Sequence, residues 1–234
     1  MARAKKVEPE AGKAERTRAR ILEAALASFQ KHGYEATTMR KIAADADVSL
    51  GNAYYYFESK EHLIQGFYAQ MHAEHLAACE PLLASERDLR ARIEGVLTAK
   101  IDTAEPYHRV SGLLFKTAAD PHSPLNPFSP ASEPVRAEAT ALMRRVVEES
   151  DSKVPRDLKD RLPELLWLYE MAVILFWIHD ESAGRARTRR LIARTAELVA
   201  RLVSLASFPL LKPLRSSALK MLDELESDVA APRK

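Results

Sequence analysis

Apolar residues in this chain return at helical spacing in one segment after another. Ile21, Leu22, Ala25, Leu26 and Phe29 form one such stripe, and Ile42, Ala43 and Ala46 form another. A chain patterned in this way buries its stripes by packing helix against helix. The residue supply agrees: 37 Ala and 29 Leu stand against 12 Val and 8 Ile, which favours helices over the Val/Ile runs of a buried parallel sheet. An all-α fold is therefore expected, and 234 residues are enough for one large or two small domains with a real core. The 7 glycines include no GxGxxG or GxxxxGK(S/T) pattern, so a motif-bearing Rossmann or P-loop nucleotide domain is excluded.

The single Cys79 allows no internal disulfide and fits a reducing compartment. The first twenty residues are charged and no apolar stretch follows them, so they do not read as a secretory signal. The longest apolar run, Leu165 to Ile178, has 14 residues and contains Glu170, which is too short and too polar for a membrane span. A cytoplasmic protein with no membrane contact is the expectation. The net charge of +2 hides an asymmetry: residues 1–60 carry 11 Lys/Arg against 8 Asp/Glu, and the remainder carries 24 against 25. A basic end on a near-neutral body suits a local polyanion contact, although a solvated tail gives the same count.

Residues 1–13 lack apolar periodicity and read as a disordered basic tail. The first helix runs from about Ala14 to His32, with Gly33 as its left-handed terminator. Thr37 or Thr38 caps a short helix over 39–46. Asp47-Val48-Ser49 forms a turn, and Ser49 caps a second short helix over 50–57. A longer helix from Ser59 is expected to end near Glu80, before Pro81. Further helices are expected at 87–104, 106–119, 133–151, 156–182, 185–207 and 212–227, with Pro163 in the first turns of its helix. The linker Asp120–Pro134 carries Pro121, Pro124, Pro127 and Pro130 at the period of a polyproline II helix, and then Pro134. It reads as an ordered loop; docking of an SH3-like partner is the alternative.

Two short helices joined by a three-residue turn make a helix-turn-helix, whose second helix can enter a DNA major groove. In Leu50-Gly51-Asn52-Ala53-Tyr54-Tyr55-Tyr56-Phe57 the core needs only Leu50, Ala53 and Phe57. The amide and the phenols are left for bases and phosphates. Gly51 costs helix stability of roughly 1 kcal/mol relative to Ala, a sacrifice that suits close approach to another surface.

Thr38-x-x-x-Ile42-Ala43, Val48-Ser49-x-Gly51 and Tyr54-x-Tyr56-Phe57-x-Ser59-Lys60-Glu61-x-Leu63 together resemble the N-terminal domain of tetracycline-repressor (TetR) type transcriptional regulators. The preceding Arg20-Ile21-Leu22-x-Ala24-Ala25 and Phe29-x-x-x-Gly33-Tyr34 match as well. The resemblance spans some fifty residues; the rest shares only helical character and length. It implies a homodimer on a double-stranded, palindromic DNA operator. Its contacts would come from Thr38, Arg40, Lys41, Ser49, Leu50, Gly51, Tyr54, Tyr56 and Lys60, mostly to phosphates. Asn52 and Tyr55 are expected to read base edges. Lys41 stands where many members carry an acid, which weakens the capping box and adds positive charge near the DNA. On this basis residues 14–60 form the DNA-binding domain, with the start of a linking helix to about 80. Residues 61–234 form an effector-binding and dimerisation domain, and the helices at 156–182 and 185–207 dimerise.

Trp167, Glu170, Ile174 and Trp177 share one helical face, with Leu168, Ala172, Leu175 and His179 opposite. The first face is the expected effector site. A carboxylate there would be paired with Arg187, Arg190 or Arg194, or would hold a lipophilic cation between the tryptophans. His72, His75 and Cys79 fall at i, i+3 and i+7 and offer an alternative, a metal-responsive regulator with His108 as a possible fourth ligand. No HExxH, GxSxG or paired-carboxylate pattern points to catalysis. The sequence therefore reads as a repressor, not an enzyme and without a cofactor, that a small, largely apolar effector releases from DNA. A nucleoid-type DNA binder would not need so large an apolar body.

Overall fold

The computed structural model describes residues 10–230, with side chains described from 12 to 224. Among these, every regular element is a helix: α1 (Glu10–His32), α2 (Met39–Asp45), α3 (Leu50–Tyr56), α4 (Lys60–Ser85), α5 (Leu89–Ala104), α6 (His108–Ala118), α7 (Glu133–Glu148), α8 (Arg156–Lys159), α9 (Leu162–Ile178), α10 (Ala186–Ala206) and α11 (Lys212–Ala230). Most of the tail expected to be disordered lies outside the described residues. Its end does not behave as expected, because α1 is already helical at Glu10. The early residues, Glu-Ala-Gly-Lys-Ala-Glu-Arg, are mostly good helix formers, so the helix extends although Lys13 to Arg16 are exposed.

The chain divides into two compact units. One comprises Met1–His72 with Pro106–Arg136, and the other Ala73–Glu105 with Ala137–Lys234. In the first, Ile21, Leu22, Ala25 and Phe29 of α1 meet Ile42 and Ala43 of α2, Ala53 of α3, and Leu63, Ile64 and Phe67 of α4. Val110 and Leu114 of α6 and Leu125 of the following loop complete this core. That loop is not a polyproline helix. Ser123, Asn126, Ser129 and Ser132 each donate a backbone hydrogen bond to the carbonyl three residues back, so the prolines follow the period of successive tight turns. A polyproline II segment has no such bonds.

In the second unit α10 packs along α5 and against α9. Its polar joints lie at helix ends. Arg92 of α5 is fully buried, and its guanidinium donates to Leu83 O and Glu86 O at the end of α4 and to Arg145 O and Val146 O in the last turns of α7. Glu149 adds an ion pair at 3.0 Å. One cation thus binds carbonyls at the negative ends of two helices. A second joint forms where α9 meets α10. Asp180, 2% exposed, accepts from the backbone and hydroxyl of both Ser182 and Thr188. Trp177 Nε1 donates to Glu105 at 3.0 Å, and Arg185, itself at φ 55°, pairs with the same carboxylate at 3.1 Å.

Two expected boundaries are corrected. The helix at 59–80 does not stop before Pro81 but runs through it to Ser85. Proline removes only one donor, and the carbonyl it would have served belongs to Ala77, which like Pro81 is an exposed residue. The helix expected over 156–182 is two, because the backbone turns at Asp160–Arg161 and Pro163 takes the first turn of α9.

Candidate nucleic-acid interface

The turn between α2 and α3 is built from two caps set almost end to end. Val48 N bonds to Ala43 O at 3.0 Å and Asp47 N to Ala44 O at 3.2 Å, the paired bonds of a Schellman terminator, with Asp47 as its left-handed residue at φ 52°. One residue later Ser49 caps α3, its hydroxyl accepting from Asn52 N at 3.1 Å. At the other end of α2, Thr38 accepts from Lys41 N at 3.2 Å. Thr37, the alternative cap, is buried and bonds to Gly33 O instead. The two axes are therefore fixed by local bonds as well as by packing.

On α3 only Ala53 is fully buried, and Leu50 and Tyr56 are half-buried against the core. Gly51 and Asn52 are exposed, Tyr54 is 47% exposed and Tyr55 82%, its ring edge-on to Tyr56 at 5.3 Å. A Cβ on Gly51 would meet nothing within 4 Å, so the glycine leaves open space on the outer face. Thr38 and Arg40 are exposed, while Lys41 is half-buried and pairs with Asp45 at 3.1 Å. Lys60 is also half-buried: its ammonium donates to Tyr34 O at 2.8 Å and lies 4.3 Å from the centre of the Tyr34 ring.

Tyr34 and Glu61, which the sequence reading left without a role, complete that lock. The Tyr34 hydroxyl donates to Glu61, and its pKa is raised by burial and by that carboxylate. Burial alone would raise the Glu61 pKa, but bonds from Tyr34 and Ser59 outweigh it and hold the carboxyl below its ordinary range. The signal available in sequence was Gly33-Tyr34 beside Lys60-Glu61, two short motifs with no local reason to meet.

A family model described as "Tetracyclin repressor-like, C-terminal domain" matches residues 92–223, and one described as "Bacterial regulatory proteins, tetR family" matches residues 21–66. The chain belongs to the TetR family. Curated relatives match mainly at the DNA-binding end. The HTH-type transcriptional repressor KstR of Mycolicibacterium smegmatis is 55% identical over 47 residues, 20% of this chain and 23% of that one. KstR2 of Mycobacterium tuberculosis is 31% identical over 102 residues, 42% of this chain and 49% of that one. The chain thus matches under half the length of these relatives. A TetR-family regulator from Syntrophomonas wolfei shares the fold, with a TM-score of 0.65 at 17% identity, covering 80% of this chain and 95% of that one.

Of the other predicted sites, the Glu170 face and His108 lie within the matched C-terminal region, and His72, His75 and Cys79 precede it. Trp167, Glu170 and Trp177 are buried and Ile174 is half-buried, while Leu168, Ala172, Leu175 and His179 are exposed on the opposite face. The partner of Glu170 is not an arginine of α10 as expected. It is Lys100 of α5, whose Nζ stands 3.3 Å from Oε1 and fills the place expected for a ligand's cation. Lys100 occupies an inward register among Ile93, Val96, Leu97 and Ala104, and that register was its signal in the sequence.

The metal reading is corrected. Among the described residues no group of three His, Cys, Asp or Glu side chains is placed to hold a metal ion. His72, His75 and Cys79 are packed inside the protein. One nitrogen of His75 bonds to Val96 O at 3.0 Å, and burial, with Lys100 beside it, pushes the imidazole pKa down to about 3. Burial pushes the Cys79 thiol up to about 12, so it stays protonated and is a poor ligand. His108 begins α6. No helix among the described residues is long and apolar enough to cross a membrane.

Proposed function

We propose that this chain is a DNA-binding transcriptional repressor that acts as a homodimer and leaves its operator when a small, largely apolar effector binds. Residues 14–60 read the DNA, and residues 61–234 dimerise and hold the effector. The observation that carries the reading is the outer face of α3. Asn52 and Tyr55 project from a seven-residue helix capped at both ends, and burial needs neither of them. An asparagine so held can bond an adenine edge through both amide atoms, and a phenol can reach a base or a phosphate. Two such helices in a twofold dimer fit a palindrome with half-sites about one helical turn apart. The repressor names of KstR and KstR2 support the sign of the effect. Release needs no new chemistry: an effector favouring a dimer whose reading helices mismatch the operator shifts the population.

Selection of duplex DNA from a random pool by the full-length protein tests the reading. A palindromic consensus bound with nanomolar affinity is expected. Enrichment of no motif, with equal affinity for all duplexes, refutes a sequence-specific repressor.

A further inference from the structure

The fold treats two buried charged side chains of its second unit very differently. Arg92 is satisfied by four helix-end carbonyls and a carboxylate. Glu170, 1% exposed, has Lys100 at 3.3 Å, yet neither of its carboxylate oxygens accepts a hydrogen bond. An ionised carboxylate offers about four acceptor positions, and folded interiors seldom leave such groups unfilled. An ion pair held this way sacrifices stability that apolar residues of equal volume would supply. The pair joins α5 to α9, His75 and Cys79 of α4 lie within electrostatic reach of it, and the buried Trp167 and Trp177 share the face of α9 that bears Glu170.

Charge narrows what such a site accepts. His75 and Cys79 are both neutral at physiological pH, the first driven down by burial and Lys100, the second driven up by burial and Glu170. The charges that remain, on Lys100 and Glu170, cancel. A charged ligand head would leave an uncompensated charge in the interior, which is strongly disfavoured. A hydroxyl fits without that penalty, because its hydrogen donates to the carboxylate while its oxygen accepts from the ammonium.

We propose that Lys100 and Glu170 form the polar end of the effector site, and that the site takes an uncharged, apolar molecule ending in a hydroxyl. Calling that ligand the effector rests on the repressor reading above; the binding site itself does not. Trp167 and Trp177 are the only 2 tryptophans of the chain, so the site reports on itself by fluorescence. The full-length protein is titrated with decan-1-ol, decanoate and decylammonium. The alcohol is expected to change the emission saturably and to bind at least tenfold more tightly than either ion. Glu170→Gln leaves Lys100 uncompensated and is expected to invert the order in favour of decanoate. The pair replacement Lys100→Met with Glu170→Leu is expected to erase the preference for the alcohol over the ions while keeping the fold. A silent alcohol, an ion bound as tightly as the alcohol, or an unchanged order in both variants overturns the proposal. Binding to the selected DNA is followed in parallel. DNA binding without an alcohol response removes this site and leaves the repressor, whereas an alcohol preference without DNA binding does the reverse.

Discussion

Asp47 is the residue on which the helix-turn-helix pivots, and it holds a backbone conformation that L-residues resist. At φ 52° its Cβ crowds the following carbonyl, a penalty of about 1–2 kcal/mol that glycine escapes. Glycine also loses more entropy on folding, so Asp47→Gly is expected to gain only up to about 1 kcal/mol, read as a higher melting temperature. A lower one would show that the Asp47 side chain makes a bond worth more than the strain. On the outer face, Asn52→Ala and Tyr55→Ala should each cost roughly 1–3 kcal/mol of specific binding and relax the selected motif at one base pair per half-site. A motif unchanged in either variant would remove that residue from readout. The exposure of Asn52 and Tyr55 was legible because an eight-residue apolar pattern cannot bury an amide and three phenols together. Lys100 and Lys60 were less legible. A lysine's charge suggests solvent or phosphate, and only the packing of distant helices directs Lys100 to Glu170 and Lys60 to the Tyr34 carbonyl.

Helices in this protein were readable from sequence where their ends are decided locally. Thr38, Ser49 and Gly33 fix their termini through bonds within a few residues, and those boundaries agree with the structure. The passage of α4 through Pro81 and the break before α9 depend on which side of a helix faces solvent, and spacing alone does not contain that. The joint between α9 and α10 carries a pH prediction. Burial alone would raise the pKa of Asp180, but the bonds from Ser182 and Thr188 outweigh it and hold the carboxyl well below its ordinary range. A carboxyl depressed in the folded state contributes its full stability above the unfolded pKa of about 3.9 and loses it progressively as pH falls from there through the lower folded pKa. Asp180→Asn should therefore be less stable than wild type at pH 7, by about 2 kcal/mol, and the gap should narrow under acid. Denaturant titrations at pH 7 and pH 3 check this; a constant gap would mean that the site does not sense the charge.

For the whole molecule, the proposed repressor turns on dimerisation. Leu198, Leu202 and Leu205 of α10 recur on one face and are 50–55% exposed, and Leu168 and Leu175 of α9 are 40% and 42% exposed. A twofold partner laid on these faces would cover them, so Leu202→Glu should weaken self-association on the order of a hundredfold, because an unpaired carboxylate would be buried. Light scattering is expected to find a dimer of the 26.2 kDa chain for wild type and a monomer for the variant, with operator affinity falling in step. A variant that stays dimeric would place the interface elsewhere. The core around the reading helices has a different consequence, for the order in which the protein is made. It takes Val110, Leu114 and Leu125 from a segment that follows α5 in the chain. A nascent chain with all of α1, α2 and α3 outside the ribosome still lacks those three side chains. The helix-turn-helix unit therefore cannot close its core until translation has gone past residue 125, when much of the C-terminal unit is still to be made.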